Sequence, residues 1–203
     1  MKRTLGVWLR LWLRVWMLAP LMAAQAASQA DTRPALPNEA WQLHSTRGRS
    51  LNERSLDGRW LMVYLGSARC GERCEPPLRL MQGVMDRLGF FESRQVAALF
   101  LAVEPAHDTL QGVSELLRPL APRVEGLVGR SFDINTAARA LGVASGDVCR
   151  SDITLTEQRS QEALHARRFY IVMPDRRIAA SIDEAEPHDA VVRHLRLLIA
   201  NNR

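Results

Sequence analysis

Short runs of large apolar residues alternate along the chain with segments in which apolar residues recur at helical spacing. Residues 60–65 and 96–103 are such runs, and they predict strands that are buried on both faces of a sheet. A short hairpin with Gly48 in its turn is predicted to precede them. Three shorter strands are predicted later, at residues 126–129, 168–173 and 178–182, with a strong turn signal between the last two.

Four helices are predicted between and after these strands. The first covers residues 78–88, where apolar residues recur every three or four positions between two prolines and a glycine. Asp108 is predicted to cap a helix over residues 110–117, and Ser131 is predicted to cap one over residues 134–141. The last helix has an apolar stripe formed by Val191, Leu195 and Leu198.

The order of these elements is β-β-β-α-β-α-β-α, followed by a polar, irregular segment and then β-β-α. This order predicts an α/β fold in which a mixed central sheet is flanked by helices on both faces. The irregular segment, residues 143–164, is interpreted as an insertion before the last hairpin. A chain of 203 residues with 47% apolar content can bury one substantial core, which is assigned to residues 40–203.

Residues 1–26 have the features of a targeting segment. A positively charged start precedes a Trp- and Leu-rich stretch, and Ala-Gln-Ala at residues 24–26 is similar to a signal-peptide cleavage site. Two internal arginines argue against a membrane-spanning helix. The alternatives are a signal peptide, an uncleaved anchor and an amphipathic surface helix. Residues 27–39 are interpreted as a linker. A signal peptide would place the domain in the periplasm, and an anchor would hold it at the inner membrane on the periplasmic side. Disulfides persist in this compartment.

The net charge of +5 does not indicate a nucleic-acid-binding protein. Four of the 27 Lys and Arg residues lie in residues 1–26, which contain no acidic residue, so the rest of the chain is close to neutral. Nucleic-acid binding needs basic residues clustered to neutralise phosphates, and no such tract is present. We therefore exclude this class of partner.

Two of the three cysteines form a CxxxC motif, Cys70-Gly71-Glu72-Arg73-Cys74, between a predicted buried strand and a predicted helix. Helix N-terminal N–H groups near such a loop favour the thiolate, which attacks disulfides and binds metals. Side chains four residues apart can meet on one side of a helical turn. The pair is therefore a structural disulfide, a redox pair or part of a metal site. The third cysteine, Cys149, is interpreted as a buried or incidental thiol, with a resolving cysteine as the alternative.

Two thiolates favour Cu(I) or zinc but rarely complete a site. The candidates for a third ligand are the five histidines, His44, His107, His165, His188 and His194. In thioredoxin-like enzymes the segment before the corresponding strand carries a cis-proline facing the cysteine pair. This chain has no proline between Pro122 and Pro174, and His165 lies in that neighbourhood instead.

Several segments together resemble the Sco/SenC family. Residues 56–66 (LDGRWLMVYLG) are similar to the opening of the family, and the CxxxC motif follows at the family's position and spacing. Residues 103–109 (VEPAHDT) resemble its V-D-P-x-x-D-T segment, and residues 126–129 (GLVG) resemble its G-L-T-G. In residues 165–175, the spacing between the histidine, the following strand and the Pro-Asp turn matches the spacing that follows the ligand histidine in the family.

This resemblance implies a thioredoxin-like fold that binds one copper ion, Cu(I) or Cu(II), through Cys70, Cys74 and His165. It also implies a role in assembling the dinuclear copper centre of cytochrome c oxidase, by copper delivery, by reduction of target cysteines, or by both. The sequence departs from the family pattern at four positions: Gly71 and Glu75 replace prolines, and Glu104 and Leu164 replace aspartates.

Three functions follow as hypotheses. The first is a copper metallochaperone whose partner is the oxidase copper-centre subunit or another copper protein. The second is a periplasmic thiol-disulfide oxidoreductase that uses Cys70 and Cys74 as catalytic residues and does not need His165. The third is a non-catalytic interaction module.

Overall fold

A mixed sheet of seven strands forms the centre of the protein in the computed structural model, which describes residues 41–143 and 168–202. The strand order is β2-β1-β5-β4-β3-β6-β7, with β3, β4 and β5 parallel to one another and the other pairs antiparallel. The strands are β1 Leu43–Ser45, β2 Ser50–Leu51, β3 Trp60–Gly66, β4 Val96–Ala102, β5 Val124–Val128, β6 Arg168–Val172 and β7 Ile178–Asp183.

Helices cover both faces of this sheet. Within the described residues they are α1 Glu75–Arg87, α2 Phe90–Gln95, α3 Leu110–Leu117, α4 Ser131–Ala140 and α5 His188–Asn201. Helices α1, α3 and α5 pack on one face, and α4 packs on the other face, where Leu43 and Leu51 of the hairpin strands share its core. The predicted α/β architecture with helices on both faces is confirmed.

Alternation along β3 explains the two layers of core. Successive side chains of a strand point to opposite faces, and all seven residues of β3 are buried. Met62 and Tyr64 contribute to the core under α1, α3 and α5, whereas Leu61 and Val63 contribute to the core under α4. A strand buried on both faces needs the uninterrupted apolar run that predicted it.

Three local features differ from the sequence predictions. Helix α2 was not predicted, and none of its six residues is buried. The cap of α3 is Thr109, whose hydroxyl accepts a hydrogen bond from the Gly112 amide at 3.0 Å, and not Asp108. Helix α4 begins at Ser131 itself, so its cap position is occupied by Arg130, which makes no side-chain capping bond.

The predicted targeting segment, the linker and the insertion beyond Val143 lie outside the described residues, so the domain limits stay predictions. In the described parts of the chain, no helix has both the length and the apolar character required to cross a bilayer.

Candidate metal centre

The CxxxC motif lies in the loop that joins the carboxyl end of β3 to α1. A 3₁₀ segment, Ala68–Cys74, fills this loop and is broken at Gly71, where φ is 56° and ψ is −135°. Glycine adopts this conformation readily because it has no Cβ. No atom lies within 4 Å of the place a Cβ would occupy, so glycine is required by the backbone conformation and not by crowding. A proline could not replace it, because its φ is fixed near −65°.

The two cysteines of the motif form a disulfide. Their sulfurs are 1.98 Å apart and their Cα atoms are 5.6 Å apart. Cys74 is completely buried, and the Tyr64 hydroxyl donates to its sulfur over an O–S distance of 3.7 Å. Cys70 is only partly buried. Cys70 is therefore the more exposed residue of the pair, whereas Cys74 lies in the core beside a buried tyrosine.

The position of Cys74 also favours thiolate chemistry once the disulfide is reduced. Cys74 occupies the cap position of α1, directly before the first turn of the helix. The dipole of a helix favours negative charge at this end, although Pro76 and Pro77 in the first turn have no N–H group to donate. The sequence prediction that the motif precedes a helix N-terminus is thus confirmed.

Asp108 joins the loop after β4 to the start of the cysteine loop. Its Oδ1 accepts hydrogen bonds from the Ser67 hydroxyl at 3.0 Å and from the Ala68 amide at 2.7 Å. Its Oδ2 accepts a hydrogen bond from the Glu104 amide at 2.8 Å. The carboxylate is buried. Asp108, predicted as a helix cap, therefore holds the segment that leads into the cysteines.

The sheet brings the start of β6 to the same end as the cysteine loop. Strand β3 pairs with β6 in antiparallel register, with Tyr64 opposite Phe169. The amino end of β6 therefore lies beside the carboxyl end of β3, from which the cysteine loop departs. In the sequence, Arg168 at the start of β6 follows His165 by three residues.

His165 and Cys149 lie outside the described residues, so the ligand set Cys70, Cys74 and His165 stays a prediction. Within residues 41–143 and 168–202, no group of three or more His, Cys, Asp and Glu side chains is arranged to hold a metal ion. Three of the four described histidines are exposed and His188 is partly buried. These four are His44 in β1, His107 in the loop after β4, and His188 and His194 in α5.

The fold and the paired cysteines define a thioredoxin-like protein with a dithiol–disulfide site after a central strand. Residues 29–200 match the SCO1/SenC family, and the chain therefore belongs to that family. The resemblance inferred from the sequence motifs is confirmed.

Similar proteins agree with this assignment. Protein SCO1 homolog 1, mitochondrial, of Arabidopsis thaliana is 29% identical over 96 residues, which are 47% of this chain and 29% of that protein. The crystal structure of Arabidopsis thaliana ScoI with copper bound has a TM-score of 0.60 at 19% identity, covering 80% of this chain and 98% of that one. BsSco, described as having a disulfide switch and as a member of the Sco family of cytochrome c oxidase assembly proteins, has a TM-score of 0.58 at 19% identity, covering 78% and 91%. The two structures establish the shared fold.

Proposed function

We propose that this chain is an exported copper metallochaperone in which reduced Cys70, reduced Cys74 and His165 hold one copper ion. The observation that carries the proposal is the pairing of the two sulfurs at the end of β3 where β6 begins. The recipient is the copper-centre subunit of a respiratory cytochrome c oxidase or another copper protein. Membership in the SCO1/SenC family and a solved relative with copper bound support this assignment.

The donor set fits a soft metal. Thiolates bind Cu(I) strongly, and an imidazole supplements them. In the disulfide form the sulfurs are bonded to each other, so copper binding requires two electrons and two protons that convert the disulfide into two thiols. After reduction, the Cys70 and Cys74 side chains lie on a short loop that Asp108 anchors. Because the loop is already held in place, less conformational entropy is lost when the metal binds.

The topology of the sheet supports His165 as the third ligand. The amino end of β6 lies next to the end of β3 from which the cysteine loop departs, and only Ala166 and Arg167 separate His165 from β6. Among the described histidines, His107 is adjacent in sequence to Asp108. Asp108 accepts hydrogen bonds from the start of the cysteine loop. His107 is therefore the matched control for His165.

The disulfide itself favours a second function, the reduction of target cysteines. In that reaction the thiolate of Cys70, the more exposed residue of the reduced pair, attacks a disulfide of the target and forms a mixed disulfide. The Cys74 thiolate then attacks Cys70, the Cys70–Cys74 disulfide forms, and the target leaves as a dithiol. Two electrons pass from the pair to the target. This function needs both cysteines and does not need His165.

Export and location belong to the same proposal. Residues 1–26 carry the chain to the periplasm, either as a cleaved signal peptide or as an anchor in the inner membrane. Fractionation of cells that express the full chain tests this, with a variant lacking residues 2–26 as the control. Recovery of the full chain from the cytoplasm would contradict it.

Copper titration of the reduced, purified chain tests the metal site. We expect one copper ion per chain and, in the Cu(II) form, a sulfur-to-copper charge-transfer band. His165→Ala should weaken binding by at least about tenfold, because one of three ligands is lost, whereas His107→Ala should bind like the wild type. Equal copper binding by a Cys70→Ala, Cys74→Ala, His165→Ala triple variant would exclude the proposal. Reductase activity that survives His165→Ala while copper binding is lost would favour the second function.

A further inference from the structure

A polar cavity lies at the amino ends of the parallel strands, at the opposite end of the sheet from the disulfide. At this end Trp60 pairs with Val96, whereas Gly66 pairs with Ala102 at the cysteine end. The volume of the cavity is about 150 Å³. Its lining includes the polar residues Arg47, Arg59, Ser93, Arg123 and Glu125.

Glu125 is buried in the wall of this cavity, and its carboxylate is already satisfied. Arg49 donates from Nε to Oε1 at 2.9 Å and from Nη2 to Oε2 at 2.6 Å, and the Ser45 hydroxyl also donates to Oε1. Burial raises the pKa of Glu125, but the hydrogen bonds from Arg49 and Ser45, with the charges of Arg47 and Arg49, outweigh burial and lower it. Glu125 is therefore ionised at neutral pH without a bond from Arg59.

Arg59 is partly buried, and its positive charge is only weakly compensated by neighbouring groups. Its Nη2 donates to the Val96 carbonyl over a long distance, 3.4 Å, and within the described residues it forms no ion pair. Burial and the charges of Arg49 and Arg47 lower the pKa of Arg59, and the attraction of Glu125 offsets this only in part. A guanidinium group stays protonated in proteins, so Arg59 presents unused N–H donors.

Arg123 adds a second set of donors to the same cavity. Its Nε donates to Asp86 Oδ1 at 2.8 Å, and its side chain is about half exposed, at 47%. Among the described residues, this ion pair engages only the Nε atom of the Arg123 guanidinium group. The two terminal nitrogens of Arg123 therefore remain available to a ligand, since the planar group carries five N–H donors.

Among the described residues, the charged groups that line the cavity and their ion-pair partners carry an excess of two positive charges. The lining contributes Arg47, Arg59, Arg123 and Glu125, and the partners are Arg49 and Asp86. Guanidinium groups bind oxyanions through two parallel hydrogen bonds. Since a water molecule takes about 30 Å³ of liquid, the cavity can hold a phosphate-sized ion with bound water. We propose that this cavity binds a small, doubly charged oxyanion of the phosphate type, with Arg59 and Arg123 as its main donors.

Calorimetric titration of the full, oxidised chain with inorganic phosphate tests the site, with chloride adjusted to hold ionic strength constant. We expect saturable binding of one phosphate ion per chain. Arg59→Gln should weaken binding by at least about tenfold, because it removes charge-assisted hydrogen bonds. The matched control is Arg79→Gln on α1, since Arg79 is exposed and pairs with Glu75, and it should bind like the wild type.

A second variant keeps the test decisive if Arg59→Gln does not fold. Arg123→Gln removes a half-exposed donor and should weaken phosphate binding by about threefold or more. Phosphate should also raise the melting temperature of the wild type, and should raise it less in either variant. Absence of saturable binding in the wild type, or wild-type affinity in both folded variants, would overturn the proposal. Wild-type affinity in Arg123→Gln alone would overturn it where Arg59→Gln is unfolded.

Discussion

Replacing Asp108 by alanine tests whether the loop after β4 holds the cysteine segment. The carboxylate accepts three hydrogen bonds, from the Ser67 hydroxyl and from the amides of Ala68 and Glu104. Hydrogen bonds to a charged group contribute about 1.5–3 kcal/mol each. Because Ala68 and Glu104 are only partly buried, water replaces part of what is lost. We therefore expect the free energy of unfolding to fall by about 2–4 kcal/mol.

Urea denaturation of the oxidised chain measures this loss, and Thr109→Ala is the matched control. The Thr109 hydroxyl caps α3 by accepting a hydrogen bond from the Gly112 amide, so its replacement removes one capping bond. Loss of a cap typically destabilises by about 1 kcal/mol. The reasoning is refuted if Asp108→Ala is no less stable than Thr109→Ala.

The same variant should weaken copper binding if the proposed function is right. Without Asp108, the cysteine loop must be ordered when the metal binds, and this ordering lowers the affinity. We expect a fall of about tenfold in the copper affinity of the reduced Asp108→Ala chain, measured by competition with a chelator. Thr109→Ala should stay within about twofold of the wild type. An unchanged affinity in Asp108→Ala would mean that the loop does not need this anchor to bind metal.

Two further predictions concern the backbone at Gly71 and the buried acid Glu125. Gly71→Ala should destabilise the chain by about 1–2 kcal/mol in urea denaturation, because alanine is strained at a φ of 56°; wild-type stability would show that the loop adopts another conformation. Folding lowers the pKa of Glu125 from its ordinary 4.5, so its contribution is complete above about pH 4.5 and is lost as the pH falls through the folded pKa. Glu125→Gln should therefore show a flatter dependence of unfolding free energy on pH in that acidic range, and an unchanged slope would contradict this.

The strands were predictable because burial on both faces leaves a direct mark in the sequence. Strands β3 and β4 are buried throughout, and each requires an uninterrupted apolar run. Helix α2 left no such mark, since it has no buried residue and two of its members, Phe90 and Phe91, are exposed. Periodicity detects a helix through its buried stripe, so a short surface helix without one is missed.

The site was predictable only where local sequence determines it. The CxxxC spacing predicted that Cys70 and Cys74 could meet, and the disulfide confirms that they do. The burial of Cys74 beside Tyr64 depends on how α1 packs on the sheet, which no local pattern encodes. Asp108 has the residue type of a helix cap but lies one residue before the cap position, which Thr109 occupies. Its carboxylate accepts tertiary hydrogen bonds from the cysteine loop instead.

The place of β3 in the sheet has a consequence for how the protein matures. One neighbour of β3 is β4, the next strand along the chain, but the other is β6, so that Leu61 pairs with Val172. Such a long-range pair closes late in folding, because the loop entropy must first be overcome. The CxxxC pair is separated by only four positions and can be oxidised in a nascent chain. The oxidation state of the pair can thus be set before the sheet is complete, and a reductant has to reach the finished protein to reverse it.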